Sequence, residues 1–394
     1  MTRAERSRAW LVPFFAHSLL VQAVTFVLRP TAIYRAIELD VPAPWLGALG
    51  ASFAVVPLLL AVPSGLAADR WGERRVMITG GVLVVAAAAA FALTRSVWGL
   101  LLASVLLGTG HLFSVIGQQA LVANRTPRSR YDSAFGHYTF ATSAGQALGP
   151  GLIVLFGGQR AIPDTNAIFG WATGLGAVLL ATSLLLPSSG SAQQRSEVAP
   201  GSVRSLLRRR GLVPALTVSC VVLSAVDISL VYLPVLGTER EIASGTIGAL
   251  LAVRAGASMV SRFFLGRLAA AWGRRALLTG SVVLSAVGMA LVPVPMPVWL
   301  LVVLVAATGL GLGAGQPLTM SWLADSTPPG LRGRAMSLRL TGNRFGQVVV
   351  PSLAGAVAVG SGAAGVLWLT AATLAGAAVL SRRVSAPPPA PGQG

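Results

Sequence analysis

The chain of 394 residues is 54% apolar and only 11% charged, and its mean hydropathy is +0.73. This leaves too little polar surface to cover a soluble protein of that size, so a soluble globular fold is excluded. The formal charge of +18 does not indicate nucleic-acid binding, because the arginines fall in the gaps between apolar stretches and not on one face of a soluble fold.

Long apolar windows recur along the whole chain, each with the ~18 or more residues that are needed to cross about 30 Å of hydrocarbon. Each window predicts a transmembrane helix, called a span below. The first span follows Arg3, Arg6 and Arg8 but lacks a small-residue cleavage pattern, so it is interpreted as a retained helix and not as a signal peptide. The twelve predicted spans cover residues 11–33, 45–67, 75–94, 98–122, 133–156, 165–186, 212–236, 245–268, 275–293, 296–323, 334–358 and 363–381.

The arginines are distributed unevenly between the two sets of loops. On one side of the predicted membrane the segments hold only Arg35, Arg95, Arg160 and Arg240, while the other side holds most of the rest. Short loops rich in Arg stay in the cytoplasm. The distribution therefore predicts that both termini are cytoplasmic and that the number of spans is even.

An internal repeat with a constant offset of 201 residues runs through the chain. The matches include 11–13 with 212–214, 47–49 with 248–250, 126–127 with 327–328, and Gly145, Gln146 and Pro150 with Gly346, Gln347 and Pro351. The repeat predicts an N-terminal six-helix bundle over residues 1–187 and a C-terminal six-helix bundle over 211–385. Residues 188–210 are predicted to be a cytoplasmic linker, and 386–394 a Pro-rich disordered tail.

The loop after the second span carries a specific motif. It fits the pattern Gly-x-x-x-Asp-Arg-x-Gly-x-Arg-Arg with Gly65, Asp69, Arg70, Gly72, Arg74 and Arg75. This loop resembles the one between helices 2 and 3 of major facilitator superfamily transporters. The resemblance implies an all-α membrane protein of twelve transmembrane helices in two six-helix bundles, related as a parallel repeat about an axis along the membrane normal.

The same resemblance implies that the loop latches the two halves together. In the family the aspartate faces the N-terminal end of helix 11, whose dipole favours a negative charge. Asp69 would accordingly sit near Arg332 to Arg339. The repeated loop, from Gly266 to Arg275, has Ala270 where an aspartate would stand, so it is expected to keep the turn and lose the latch.

The fifth span carries small residues at regular spacing, namely Gly136, Gly145, Gly149 and Pro150. They resemble a motif that is associated in this superfamily with exporters that exchange substrate for protons. The closing Gly-Gly pair of that motif is absent, since Ile153 and Val154 stand there. The alternative is that these glycines let the span pack closely against a neighbour such as the eighth span.

Charged residues inside spans are costly, at about 2.5 to 3.5 kcal/mol each by insertion scales, so each requires a partner or a function. Asp227 is the only acid deep within a span, on one face of the seventh span with Cys220 and Ser224. It is either a proton carrier in a wet cavity or the permanently ionised partner of a buried arginine. The candidate partners are Arg29, Arg254, Arg262 and Arg344.

Polar side chains of several spans are predicted to line a central cavity. They are Gln22, Arg29, Gln118, Gln146, Arg254, Gln316, Asn343, Arg344 and Gln347. Their excess of positive charge favours a substrate with an anionic or strongly hydrogen-accepting group. Arg262 and Arg339 lie nearer the cytoplasm and are expected to snorkel to the interface. His111, near the middle of the fourth span, is either a proton relay or a hydrogen-bonded packing residue.

Enzymatic and metal chemistry are not indicated. There is no spaced His/Cys cluster, no pair of carboxylates within a span and no lysine for a phosphate-binding loop, and Cys220 is the single cysteine. The sequence predicts a transporter without a cofactor or metal, with protons as the coupling ion.

The leading functional hypothesis is proton-coupled export of a small organic molecule by alternating access, with Asp227, and His111 as a second candidate, carrying protons. The alternatives are uptake or facilitated diffusion of an anionic metabolite and, in a different class, a membrane sensor that does not transport. The resemblance implies a monomer in the bacterial inner membrane, whose partners are a small-molecule substrate and the lipid bilayer and not nucleic acid.

Overall fold

The computed structural model describes residues 10–125, 131–187, 211–326 and 332–384, and these are helical almost throughout. This confirms the predicted all-α membrane fold. The predicted linker and the predicted tail lie outside the described residues. The helices of the first half are α1 Leu11–Glu38, α2 Ala43–Trp71, α3 Glu73–Leu93, α4 Val97–Arg125, α5 Tyr131–Leu148, α6 Gly151–Gly157 and α7 Thr165–Leu185. Those of the second half are α8 Leu212–Glu239, α9 Ser244–Phe263, α10 Leu265–Trp272, α11 Arg274–Leu291, α12 Val298–Ser326 and α13 Arg332–Ser381.

The number of spans depends on how bent helices are counted. Within the described residues ten helices are long and apolar enough to cross a membrane, and α9 and α10, which meet at 61°, make eleven if they form one span. Helix α13 is interrupted at Gly362, where φ is 61° and the backbone leaves the helical region. The eleventh and twelfth predicted spans lie on either side of this glycine, so a count of twelve requires α13 to be taken as two helices.

The internal repeat extends to the packing of individual glycines. A Cβ on Gly108 would collide with the backbone of Phe53, and one on Gly309 would collide with the backbone of Arg254. Both members of the second contact lie 201 residues after those of the first. Because only glycine permits such close helix approach, each half has a glycine-mediated helix contact at the equivalent position.

The two halves touch directly on the side of the protein that carries Arg160 and Arg240, which we call the arginine-poor face. There the backbone amide of Ser244 donates to the carbonyl oxygen of Arg160 at 2.6 Å. Gly157 lies against Ser244 with no room for a Cβ. Nearby, α2 and α13 are equally close, since Gly47 meets the backbone of Pro351 and Gly355. Close backbone packing therefore joins the halves at this face.

Candidate functional site

A cavity of about 160 Å³ lies between the two halves, enough for on the order of ten water molecules. Helices of both halves contribute to its wall. The polar lining residues are Gln22, Thr25, Arg29, His111, Gln146, Asp227, Arg254, Ser258, Arg262, Gln316, Asn343, Arg344 and Gln347; the apolar ones are Phe26, Phe53, Leu223, Val226, Leu312 and Leu340.

The structure brings together all but one of the residues that the sequence assigns to the cavity. The exception is Gln118, which lies two helical turns from His111 along α4 and outside the cavity. It belongs to a separate buried cluster, in which its Nε2 is 2.7 Å from His17 Nδ1 and its Oε1 accepts from the Tyr138 hydroxyl at 3.0 Å. Spacing along one helix placed Gln118 on the correct face but could not give its depth.

An ion pair between Arg29 and Asp227 crosses the cavity and joins the two halves. Arg29 Nη1 of α1 donates to Asp227 Oδ1 of α8. The other carboxylate oxygen accepts from Gln347 Nε2 of α13 at 2.7 Å. The two side chains are only 7% and 2% exposed. Of the four candidate arginines, Arg29 is therefore the one that pairs with Asp227.

The remaining cationic groups of the cavity lack a carboxylate of their own among the described residues. The Arg344 guanidinium donates to Gln347 Oε1 at 2.8 Å, so Gln347 connects it to Asp227. Arg254 is buried and its Nε has no hydrogen-bond acceptor. With Arg29 and Arg262, four arginines face one carboxylate in the cavity wall. Such an excess of buried charge is costly unless an anion shares the site.

The two halves contribute unequally to this charge. Gln146 and Gln347 are repeat equivalents and both line the cavity, Gln146 donating to Gln22 Oε1 at 3.3 Å. In the first half, however, Phe26 occupies the position equivalent to Asp227, and Phe53 the position equivalent to Arg254. The 201-residue offset, applied residue by residue, could have revealed this asymmetry from the sequence.

Phe53 stabilises the arginine of the ion pair from the side. The Arg29 guanidinium lies over its ring at 4.4 Å from the centroid, a cation–π contact. The ring also packs near His111, with 5.5 Å between ring centroids. His111 is further contacted by Gln22, with 3.2 Å between their Nε2 atoms. The histidine thus lines the cavity within a polar network, and its relay role stays a prediction.

The expectation that Arg262 and Arg339 snorkel to the interface is wrong. Arg262 lines the cavity, donating to Ser143 Oγ of the other half at 2.8 Å and to the Gly313 carbonyl at 3.3 Å. Arg339 is buried and donates to Gln316 Oε1 at 2.6 Å. Both side chains find acceptors inside the bundle, so neither has to reach the headgroup region.

The motif loop forms the expected tight turn, since Gly72 has a φ of 82° and its repeat equivalent Gly273 one of 77°. Arg74 Nη2 donates to the carbonyl of Leu184 at 2.6 Å, at the end of α7 in the same half. Its repeat equivalent, Arg275, donates to the carbonyl of Arg382. These arginines therefore fasten each loop within its own half, a role that the sequence analysis missed.

The latch between the halves stays a prediction. The side chains of Asp69 and Arg70, the surroundings of Gly65, and the side chains of residues 332–337 lie outside the part of the chain that the structure describes. Arg75 is described and is exposed.

Gly145 and Gly149 of the fifth predicted span have their nearest contacts with α1 and not with the eighth span. A Cβ on Gly145 would collide with the carbonyl of Leu19, and one on Gly149 with that of Ala23. The span is broken at Pro150, which separates α5 from α6 and lacks the amide hydrogen that a continuous helix needs. Gly136 lies outside the residues whose surroundings are described. Close packing explains Gly145 and Gly149, and the exporter interpretation stays a prediction.

Comparison with known proteins identifies the architecture. The family model described as Major Facilitator Superfamily matches residues 14–244 and 216–394. Among solved structures, the nucleoside transporter NupG superposes with a TM-score of 0.78 at 14% identity, over 95% of this chain and 98% of that one. A variant of NupG gives 0.79 at 14% identity, over 94% and 98%. No curated protein sequence matched. At this identity the structural likeness establishes the fold alone.

Proposed function

Because the chain belongs to the Major Facilitator Superfamily and is a membrane transporter, we propose that it carries a small organic anion together with protons through the cavity between its halves. The observation that supports this is the excess of arginine in the cavity wall, where four guanidinium groups face the single carboxylate of Asp227 among the described lining residues.

An anionic group is the substrate feature that this wall fits best. Guanidinium groups bind carboxylate and phosphate oxygens with paired, charge-assisted hydrogen bonds. Arg254 offers an Nε–H that no protein acceptor uses, and Arg344 is bound only to an amide oxygen in the described contacts. A substrate anion that contacts these two groups would compensate charge that the protein itself leaves uncompensated.

Coupling to protons follows from the sharing of Arg29. When a substrate anion competes for the Arg29 guanidinium and compensates the other arginines of the wall, Asp227 loses its ion pair and keeps the hydrogen bond from Gln347. A buried carboxylate without a compensating cation is strongly disfavoured and takes up a proton instead. Conversely, protonation of Asp227 releases Arg29 for the anion. Substrate and proton thus favour each other's binding at neighbouring groups.

The sign of this coupling predicts cotransport. If binding of the anion promotes binding of the proton, linkage requires the reverse with the same factor. Both then occupy the protein in the same step and cross in the same direction. Exchange would require competition between them. The geometry therefore favours uptake of an anion, which the sequence analysis gave as an alternative without proton coupling, and adds protons to it; it does not favour the export that the fifth-span motif suggested.

The test is uptake into proteoliposomes with an acidic exterior, using radiolabelled gluconate and glycerol 3-phosphate as anions that do not cross the bilayer unaided, and uridine as a neutral comparator. We expect the pH gradient to drive accumulation of at least one of the anions. Arg254→Gln and Arg344→Gln should each raise the anion concentration needed for half-maximal uptake by about tenfold, since each removes a charge-assisted contact.

Arg35→Gln is the control, because Arg35 is a fully buried arginine of α1 that is bound to Asn166 and Glu38 outside the cavity. It should leave the half-saturation unchanged. Accumulation of uridine with no response to either cavity substitution would contradict the anion proposal, and ligand binding without flux would indicate the sensor alternative.

A further inference from the structure

A further buried arginine, Arg339, lies just outside the central cavity. Arg339 of α13 is 7% exposed. Its Nη1 donates to Gln316 Oε1 of α12 at 2.6 Å and to Ser219 Oγ of α8 at 3.2 Å. Both acceptors are neutral, and the Nε–H has no hydrogen-bond acceptor among the residues that the structure describes. Within the described residues no ion pair involves this guanidinium. A buried charge held only by neutral oxygens is costly unless an anion reaches it.

The internal repeat supplies a comparison for this cluster. The residue 201 positions earlier is Tyr138, and the equivalent of Ser219 is Ser18. Tyr138 is buried in the same place in the first half, where its hydroxyl donates to Gln118. A neutral side chain therefore satisfies the packing of this corner of the bundle. The charge at Arg339 is not needed for packing and calls for a different explanation.

Two residues connect Arg339 to the central cavity. Gln316 and Asn343 both line that cavity, while Gln316 Oε1 accepts from Arg339 on its other side. Ser219 Oγ also donates to Asn343 Oδ1 at 3.1 Å. Arg339 and Arg344 are five residues apart on one helix, about 7.5 Å along its axis. Although their side chains leave different faces of that helix, Gln316 and Asn343 link the surroundings of Arg339 to the cavity that Arg344 lines.

The geometry points to a second anion-binding site, formed by the Arg339 guanidinium with Gln316 and Ser219, which takes a carboxylate or phosphate group of the substrate after it leaves the central arginines. The site rests on the proposed transport of anions. All three of its residues belong to the second half, so relative movement of the halves leaves it intact. Arg339 lies between Arg344 and the N-terminal end of α13, and that end is on the side of the protein opposite the arginine-poor face. The site would bind the anion on its way to this opposite side.

The test uses bromide as the probe, with crystals of the full-length protein soaked in sodium bromide and measured at the bromine absorption edge. We expect anomalous density at two places in the wild type, one beside Arg254 and Arg344 and one beside Arg339. Arg339→Gln should lose only the second, Arg339→Lys should retain it, and Tyr138→Phe, the matched variant of the first half, should retain both.

Density at the central arginines alone would overturn the second site and leave the proposed function standing. Density beside Arg339 alone would support the second site and count against the proposed central anion site. Density at neither place would overturn both. In proteoliposomes Arg339→Gln should lower the maximal anion flux by about tenfold, as expected for one charge-assisted contact, and Arg339→Lys should restore much of it. An unchanged flux in Arg339→Gln would contradict an anion site on the transport path.

Discussion

At the scale of single residues, the buried pair of Arg29 and Asp227 determines how the cavity behaves. Removing two charges from water is costly, and their attraction offsets the cost only when their remaining hydrogen-bonding groups are satisfied. Gln347 satisfies the second oxygen of Asp227, and Phe53 covers the Arg29 guanidinium. The intact pair is consequently stable, and removing only one of its two partners should lower the free energy of unfolding.

This predicts unequal effects of single and double substitutions. Arg29→Gln alone should lower the free energy of unfolding by about 3 kcal/mol. Asp227→Asn alone should lower it by more, because it leaves Arg29 as an additional uncompensated cation. The double variant should be more stable than the sum of the two single losses predicts. Denaturant unfolding of the detergent-solubilised protein, run as a double-mutant cycle, measures this coupling. Strictly additive losses would mean that the pair does not form.

The sequence predicted which residues belong to the site better than it predicted which of them form the ion pair. Charged and amide side chains within apolar spans are so costly that Asp227, Arg29 and Arg344 could be assigned to a shared polar interior. Which arginine contacts Asp227 depends on how deep α1 and α8 lie in the bundle relative to each other. The sequence alone does not give this relative depth. Arg339 was misplaced for the same reason, because its neutral acceptors come from two other helices.

At the scale of elements, apolar length and loop charge predicted most of the helices, while breaks within helices were less accessible. Pro150 divides α5 from α6, and α9 bends into α10 at 61°. No proline stands at the bend from α9 to α10, which falls at Phe264. Close helix contacts were predictable as a property of glycine, yet the partner of Gly145 and Gly149 is α1, which small-residue spacing does not specify.

At the scale of the whole molecule, the direct contacts at the arginine-poor face must open if the central cavity is to be reached from that side. Alternating access requires the two halves to separate there while the helices within each half stay together. Contacts between the halves should therefore restrict transport when they are made permanent, and contacts within one half should not.

Engineered disulfides test this. In a Cys220→Ser background, Arg160→Cys with Ser244→Cys would join the halves at the arginine-poor face, where the Ser244 amide donates to the Arg160 carbonyl. We expect oxidation to abolish anion flux and reduction to restore it. The control is Thr279→Cys with Ser381→Cys within the second half, where the two hydroxyls are 2.7 Å apart. Its oxidation should leave flux nearly unchanged. Full flux through the oxidised pair at positions 160 and 244 would contradict opening at this face.

The most direct test of the central claim, that anion and proton bind together through Arg29 and Asp227, is the direction of proton movement. Proteoliposomes in weakly buffered medium without any gradient receive a transported anion outside, and external pH is recorded. We predict alkalinisation, because protons enter with the anion, and no pH change with Asp227→Asn although anion exchange across the membrane continues. Acidification in the wild type, or alkalinisation that persists in Asp227→Asn, would contradict the claim.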